Sequence, residues 1–265
     1  MFLEAFLIWF VLPGPAIAIH EVGKAETLKT FAFPNTGLSL SRSGVWAIGN
    51  DGRSSEIDTS FQPTIELLDA DLNLMRRIEI SLLIARPSSL QGVAFSSSGN
   101  EIWFAMTAMN AIASLSIDGQ LNRVIPLSFF PNGLAYDPAA NALVVGKASS
   151  ERRSNEVVWI NPADGGELRR LPLTHTPDHL AIHGGYLWFT FGRNRTAGQI
   201  RAVDIATGET AIALSVPAAD AIEGVVVSDE YVYLNSDSQF HRGEPPTNRI
   251  IALPRSQFTG GTAPP

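Results

Sequence analysis

The sequence predicts an all-β protein built as a single β-propeller, with five four-stranded blades as the simplest count. Three observations lead to this prediction. A two-strand element recurs at intervals typical of propeller blades, and a second two-strand element follows each copy except the last. A lone strand near the N-terminus matches the strand that the last copy lacks.

The first element is a short apolar strand, a tight polar turn and a second β-rich strand. Its copies read NTGLSLSRSGVWAIGND, LQGVAFSSSGNEIWFAM, PNGLAYDPAANALVVGK, PDHLAIHGGYLWFTFG and IEGVVVSDEYVYLNSD. The equivalent residues before the glycine are Thr36, Gln91, Asn132, Asp178 and Glu223, and His179 replaces that glycine in the fourth copy. These positions lie 55, 41, 46 and 45 residues apart, which are blade-sized intervals.

The second element completes each blade with a strand, a polar turn and another strand. Its copies read TIELLDADLNLMRRIEI, IASLSIDGQLNRVIPLS, EVVWINPADGGELRRLPL and IRAVDIATGETAIALSV, whereas the fifth provides only NRIIALP. Residues 26–33 form a strand that leads into Pro34 just as the other outer strands lead into the next blade. We therefore expect this strand to complete the last blade and to remove an open sheet edge.

Six blades are the alternative, with a degenerate blade hidden in the long interval between Thr36 and Gln91. Five are favoured because a polar insert over residues 50–63 and a linker over residues 81–90 account for the extra length. The predicted domain spans residues 23–254, and a Gly- and Pro-containing flexible tail follows over residues 255–265.

Residues 1–18 read MFLEAFLIWFVLPGPAIA, an apolar run followed by a Pro-Gly-Pro breaker and an A-x-A sequence. This pattern is typical of a secretory signal peptide and predicts a secreted or periplasmic protein. The run is too short to span a bilayer of about 30 Å, so no membrane span is expected in the mature chain. Glu4 and the lack of a basic residue depart from the pattern. A buried N-terminal segment or a misplaced start codon are the alternatives.

Composition excludes several classes of chemistry. The chain has 265 residues and no cysteine, which excludes disulfides, thiolate-bound metals and cysteine nucleophiles. Its formal net charge is −7 and its basic residues are scattered, so a nucleic-acid partner is not expected.

The positions before the glycines predict a site. In a propeller the first strand of each blade lines the central channel, so these five residues should surround one channel mouth. Gln91, Asn132, Asp178 and Glu223 offer only oxygen ligands, which suit a hard divalent cation such as calcium. His179 is expected to point away from this ring, because neighbouring strand residues face opposite sides. The alternative is a purely structural role, in which polar side chains at the mouth bond to neighbouring blades.

The loops on the same face are longer than those on the opposite face, and function concentrates in such loops. Asp51, Lys147, Arg193 and His241 follow second strands or lie in these loops, where they could reach a ligand at the mouth. They are the predicted substrate-binding residues. His175 and His179 flank the predicted entrance, with a hydrogen-bonding role favoured over proton transfer.

Two blades resemble the regucalcin/gluconolactonase propellers. The segments PNGLAYDP from Pro131 and PDHLAI from Pro177 are similar to the family's PNGLAFSPDG and PDGLAVD elements. The resemblance implies that Asn132 and Asp178 ligate a divalent cation that polarises a lactone carbonyl. The family's third ligand, a Glu, is replaced at the matching position by Thr36, and Glu223 could supply that carboxylate. The family generally has six blades. The GVWAIGNDG segment from Gly44 also resembles secreted SdiA-regulated propellers, and other elements are similar to NHL-like propellers.

Two functional hypotheses follow. The first is an exported, metal-binding lactonase- or esterase-like hydrolase that acts on a small molecule at the channel, with Asp178 and Glu223 as catalytic residues. The second is a non-catalytic propeller that binds a small ligand or an extracellular or periplasmic partner, with a structural cation or none.

Overall fold

The computed structural model describes residues 19–22, 25–31, 33, 35–51, 62–84, 90–148, 155–191, 197–236 and 248–257. Within these ranges the regular elements are β-strands and single-turn 3-10 helices at Ile80–Leu82, Thr107–Met109 and Arg255–Gln257. The all-β class is confirmed. The predicted leader over residues 1–18 and residues 258–265 of the predicted tail lie outside the described residues. No helix in the described ranges is long and apolar enough to cross a membrane.

Five antiparallel blades form the ring, each with its first strand innermost. Blade 1 contains β3 (Asn35–Leu40), β4 (Trp46–Asn50), β5 (Thr64–Leu68) and β6 (Leu74–Glu79). Blade 2 contains β7 (Leu90–Phe95), β8 (Glu101–Met106), β9 (Ala111–Ser116) and β10 (Leu121–Pro126). Blade 3 contains β11 (Phe130–Asp137), β12 (Ala142–Ala148), β13 (Glu156–Ile160) and β14 (Glu167–Pro172). Blade 4 contains β15 (His179–His183), β16 (Tyr186–Phe191), β17 (Ala197–Asp204) and β18 (Thr210–Asp220).

Blade 5 joins the two ends of the chain. It contains β19 (Ile222–Val227), β20 (Tyr231–Ser236) and β21 (Asn248–Pro254), and β2 (Glu26–Phe31) pairs with β21 as its outer strand. The predicted ring closure by the N-terminal strand and the count of five blades are therefore confirmed. A short β1 (His20–Glu21) pairs in parallel with β18 and covers the outer edge of blade 4.

Apolar side chains between adjacent blades form the core. Alternate residues of a strand face opposite sides of its sheet, so each middle strand contributes to two inter-blade clusters. Ile102 and Phe104 pack against blade 1, whereas Trp103 and Ala105 of the same strand pack against blade 3. Phe31 of β2 is buried in the cluster between blades 5 and 1, so the closing strand contributes to the core at the seam.

A basic side chain on the outer strand links successive blades. Every outer strand carries a register shift near its start, after the first paired residue in blades 1 to 4 and after the second in blade 5. The first paired residue after the shift is equivalent in all five blades. The side chains there donate to a carbonyl in the outer turn of the next blade: Arg76 to Asp118, Arg123 to Pro162, Arg169 to Ile205 and Lys29 to Leu72. Blade 4 has Ile212 instead, because the third and fourth strands of blade 5 come from opposite chain ends and no turn joins them.

Candidate functional site

The innermost strands approach one another most closely at a waist formed by the glycine positions. These are Gly37, Gly92, Gly133, His179 and Gly224. A Cβ on Gly133 would lie 2.6 Å from the Asp178 carbonyl oxygen, and one on Gly37 would lie 2.9 Å from the Cα of Gly92. Backbone therefore packs directly on backbone around the ring, which explains why the sequence repeats glycine here.

His179 closes this waist. Its side chain reaches from blade 4 toward blades 1 and 5, and the backbone nitrogens of Leu38 and Val225 lie 3.4 and 3.3 Å from Nε2 and Nδ1. The backbone of Val93 in blade 2 also hydrogen-bonds to the ring. Contacts with blades 1, 2 and 5 place the imidazole across the channel axis.

The imidazole of His179 is neutral. The residue is 1% exposed, and burial lowers the pKa of His179 to about 3, with the backbone hydrogen bonds opposing the shift.

Blade 4 differs from the other four blades in its strand register as well as in having histidine instead of glycine, because its β15–β16 pair shows no register shift at this position. His179 does lie outside the ring of predicted oxygen ligands. Contrary to its expected position beside the entrance, however, it is an uncharged plug below that ring.

The five positions before the waist form the mouth ring, which consists of Thr36, Gln91, Asn132, Asp178 and Glu223. Gly133 N donates to the Asp178 carbonyl at 3.0 Å, which places Asn132 and Asp178 side by side. Thr36 is buried, and the other four residues are half-buried. The mouth ring is therefore a set of polar residues directly above the waist, and we call the space that it surrounds above His179 the cup.

Two members of the mouth ring also link neighbouring blades. The Thr36 hydroxyl donates to the Leu90 carbonyl at 2.7 Å, and Asn132 Nδ2 donates to the Pro177 carbonyl at 3.2 Å. The structural alternative to a ligand role thus holds for Thr36, whose hydroxyl is buried and bonded. Asn132 differs, because its amide nitrogen makes this bond and its oxygen remains available for a ligand.

The chemistry of the mouth ring fits a hard cation. In the described part of the chain, no three histidine or carboxylate side chains gather where they could hold a metal. A cation at the mouth would therefore need the amide oxygens of Gln91 and Asn132 as well as the carboxylates of Asp178 and Glu223. Such a set of oxygens suits calcium, which accepts amide and carboxylate oxygens and water together.

The predicted substrate-binding residues divide into two pairs. Asp51 and Lys147 are described and lie on the face of the mouth, at the ends of second strands. Lys147 Nζ lies 2.7 Å from Glu156 Oε1 and 5.9 Å from the centre of the Phe129 ring, so its charge is already balanced within blade 3. Arg193 and His241 lie outside the described residues.

Comparison with known proteins supports the fold. No protein-family model matches the chain, and no curated protein matches it at a significant level. Among solved structures, the Myxococcus xanthus glutaminyl cyclase is similar with a TM-score of 0.63 at 12% identity, over 89% of this chain and 99% of that one. The Kuenenia stuttgartiensis hydrazine synthase is similar with a TM-score of 0.51 at 14% identity, over 86% of this chain and 59% of that one. At these identities the likeness shows a shared β-propeller fold. Membership of the regucalcin/gluconolactonase family stays a prediction.

Below the waist the channel widens into a separate cavity of about 140 Å³. It is lined by three consecutive residues of each innermost strand: Leu38–Leu40, Val93–Phe95, Leu134–Tyr136, Leu180–Ile182 and Val225–Val227. His179 lies between this lower cavity and the mouth ring, one residue before the segment of β15 that lines the cavity.

The sequence reasoning missed a stack of three side chains between blades 3 and 4. The guanidinium of Arg201 lies 4.9 Å from the centre of the Phe191 ring, and the His175 ring stacks on Phe191 with centroids 4.0 Å apart. Burial lowers the pKa of His175, and the charge of Arg201 lowers it further. A charged residue inside the apolar strand IRAVD was the available signal.

Proposed function

We propose that the chain is a cation-dependent lactone or ester hydrolase whose active site is the polar cup. The observation that carries the proposal is the position of Asp178 and Glu223. Asp178 immediately precedes β15 and Glu223 is the second residue of β19, so both lie at the starts of neighbouring innermost strands, next to the waist where His179 lies. Since His179 lies below the cup, substrate and product exchange through the mouth, where both carboxylates lie.

In the proposed reaction the carboxylates act as the general base. One of them accepts a proton from the attacking water and then returns it to the leaving alcohol. A divalent cation, with calcium as the best match, would supply Lewis-acid polarisation of the carbonyl when bound. Gln91, Asn132, Asp178 and Glu223 would hold it. The other oxygens of its coordination shell would come from water or substrate.

Cyclisation of a glutaminyl substrate is a second candidate reaction. The end-to-end match in fold with a glutaminyl cyclase favours it over other acyl transfers. It requires the same elements as lactone hydrolysis, namely a positioned carbonyl, a proton acceptor and a proton donor. The cup provides these elements through Asp178 and Glu223.

A substrate panel tests the proposal. Wild-type protein is assayed on a lactone, an aryl ester and an N-terminal glutaminyl peptide, with calcium and with chelator. We expect calcium-dependent turnover of at least one substrate, and a loss of about 100-fold or more in kcat for Asp178→Asn or Glu223→Gln. Asp118→Asn, at an exposed turn on the opposite face, is the matched control and should keep full activity.

Thermal unfolding in calcium and in chelator completes the experiment. A rise in Tm with calcium that Asp178→Asn abolishes supports the cation site, and no rise with calcium contradicts it. If calcium raises Tm but no substrate is turned over, the hydrolase proposal is wrong and the protein is a binding propeller with a structural cation.

A further inference from the structure

Arg201 is unusual among the buried charged residues of this protein. It is 8% exposed and is the only lysine or arginine among the described residues that is buried. Buried Glu66 pairs with Arg77 at 2.6 Å, and buried Asp137 accepts from Trp159 Nε1 and from two backbone nitrogens. Arg201 forms no salt bridge with any carboxylate in the described part of the chain.

The hydrogen bonds of Arg201 use only part of its donor capacity. Nη1 donates to the Ile200 carbonyl at 3.1 Å, and Nη2 donates to Gln199 Oε1 at 3.3 Å. A guanidinium has five N–H donors arranged in a planar fork that matches a carboxylate. No nitrogen of Arg201 is both sealed from solvent and without a partner, so Nε, which has no partner among the described residues, keeps some exposure to solvent.

The surroundings of Arg201 would hold an anion better than bulk water does. Phe191 covers one face of the guanidinium, and burial lowers the pKa of Arg201 with no opposing carboxylate among the residues that the structure describes. A buried charge without a counter-ion is costly, and a bound anion would recover that cost. His175 is exposed and stacks on Phe191, so its imidazole borders the same position beside the guanidinium.

The position of Arg201 relates it to the cup. Phe191 ends β16 next to Thr190, whose carbonyl accepts from Asp178 N at 2.8 Å. Arg201 pairs with Phe189 one strand farther out, on the third strand of the blade. Since strands lie about 4.8 Å apart, Arg201 is about 10 Å outward from the innermost strand that Asp178 precedes.

We propose that Arg201 anchors a carboxylate-binding subsite between blades 3 and 4, which selects ligands that carry a carboxylate in addition to the group held in the cup. One guanidinium balances one negative charge, and the chain carries a formal net charge of −7. A monoanionic carboxylate therefore fits this place better than a doubly charged phosphate. The subsite rests on the proposed function for the identity of the rest of the ligand.

Matched neutral and charged probes test the subsite. Binding of N-acetylglycylglycine and of its C-terminal amide is measured by calorimetry. We expect the acid to bind wild-type protein about 10- to 100-fold more tightly than the amide, and Arg201→Gln to lose this preference. Arg201→Lys, which keeps the charge but not the fork, should keep part of it. Arg169→Gln is the control, because Arg169 also stacks at 4.9 Å, on Trp159, but is exposed on an outer strand.

The pKa of His175, measured by NMR titration, gives a second readout. A carboxylate bound to Arg201 offsets the positive charge, so the acid should raise the pKa of His175 and the amide should not. Arg201→Gln should raise this pKa without any ligand. Equal binding of acid and amide, no binding of the acid, or an unchanged preference in Arg201→Gln would overturn the proposal. Tighter binding of inorganic phosphate than of the acid would also overturn the carboxylate assignment.

The subsite and the proposed activity fail separately. Asp178→Asn and Glu223→Gln should abolish turnover yet keep the preference for the acid over the amide. If wild-type protein shows that preference but turns over no substrate, the subsite stands and the hydrolase proposal falls. If turnover depends on Asp178 but the preference is absent, the subsite is wrong and the active site stands.

Discussion

His179 Nε2 lies 3.4 Å from the backbone nitrogen of Leu38, a residue two blades away on the far side of the ring. The imidazole thus occupies the axis that four glycines leave open, and it divides the channel into a polar cup and a lower cavity. Because the imidazole is buried and neutral, its position across the axis depends on the protonation state of this one side chain.

The free energy of unfolding should decrease as the pH falls below the ordinary histidine pKa of 6.5. Folded His179 has a pKa of about 3, so between these values the unfolded chain binds a proton that the folded chain does not. The stabilisation is complete above 6.5 and is lost toward acid pH, by up to about 1.4 kcal/mol per pH unit. Urea titrations of wild type and His179→Gln at about pH 5 to 7 check this. Equal slopes in the two proteins would contradict it.

Gly133→Ala should destabilise the protein by about 2–4 kcal/mol, since the new methyl group would lie 2.6 Å from the Asp178 carbonyl oxygen and from the Cα of His179. Both are backbone atoms and cannot move aside cheaply. Gly166→Ala is the control, because there the nearest atom is the Asp164 carboxylate at 3.1 Å, at the end of a flexible side chain. Thermal unfolding of the two variants is compared. Similar losses in both would show that backbone packing at the waist is not the cause.

Phe31→Ala should weaken the closure of the ring. Phe31 is 7% exposed and packs between blades 5 and 1, so its truncation should cost about 3–5 kcal/mol. Leu28→Ala on the same strand is the control, since Leu28 is 37% exposed and should cost far less. Denaturant unfolding measures both. A small loss for Phe31→Ala would mean that β2 contributes little to the seam.

Asn132 should set calcium affinity if the mouth ring binds the ion. Asn132→Asp keeps an oxygen and adds a negative charge, so calcium should bind about tenfold or more tightly, whereas Asn132→Ala should bind it more weakly. Calorimetry measures both affinities. Thr36→Val serves as the control, because the Thr36 hydroxyl is buried and bonded to the Leu90 carbonyl. An unchanged affinity in both Asn132 variants would exclude Asn132 as a ligand.

Much of the fold was predictable because local patterns determine it. The waist glycines recur where backbone meets backbone, and the tight turns recur at fixed offsets, so blade count and ring closure followed from spacing alone. A basic residue also recurs on the outer strands, at Arg76, Arg123, Arg169 and Lys29. The structure shows why, because each of these side chains donates to a carbonyl in a turn of the next blade.

The candidate site was predictable in part. Spacing placed Gln91, Asn132, Asp178 and Glu223 at equivalent ring positions, but it did not reveal that Lys147 is ion-paired with Glu156 or that the Thr36 hydroxyl bonds to blade 2. The absence of glycine at position 179 was visible in the sequence. The direction of the His179 side chain was not, because it depends on contacts with three other blades.

By itself, the sequence determined the repeating unit, the number of blades and the residue types at the mouth, since each depends on neighbours within about 45 residues. Only the tertiary structure decided that His179 lies across the axis and that Arg201 is buried without a carboxylate partner among the described residues. Both facts concern groups from different blades that meet when the ring closes. No local periodicity encodes which charges will then lack a counter-ion.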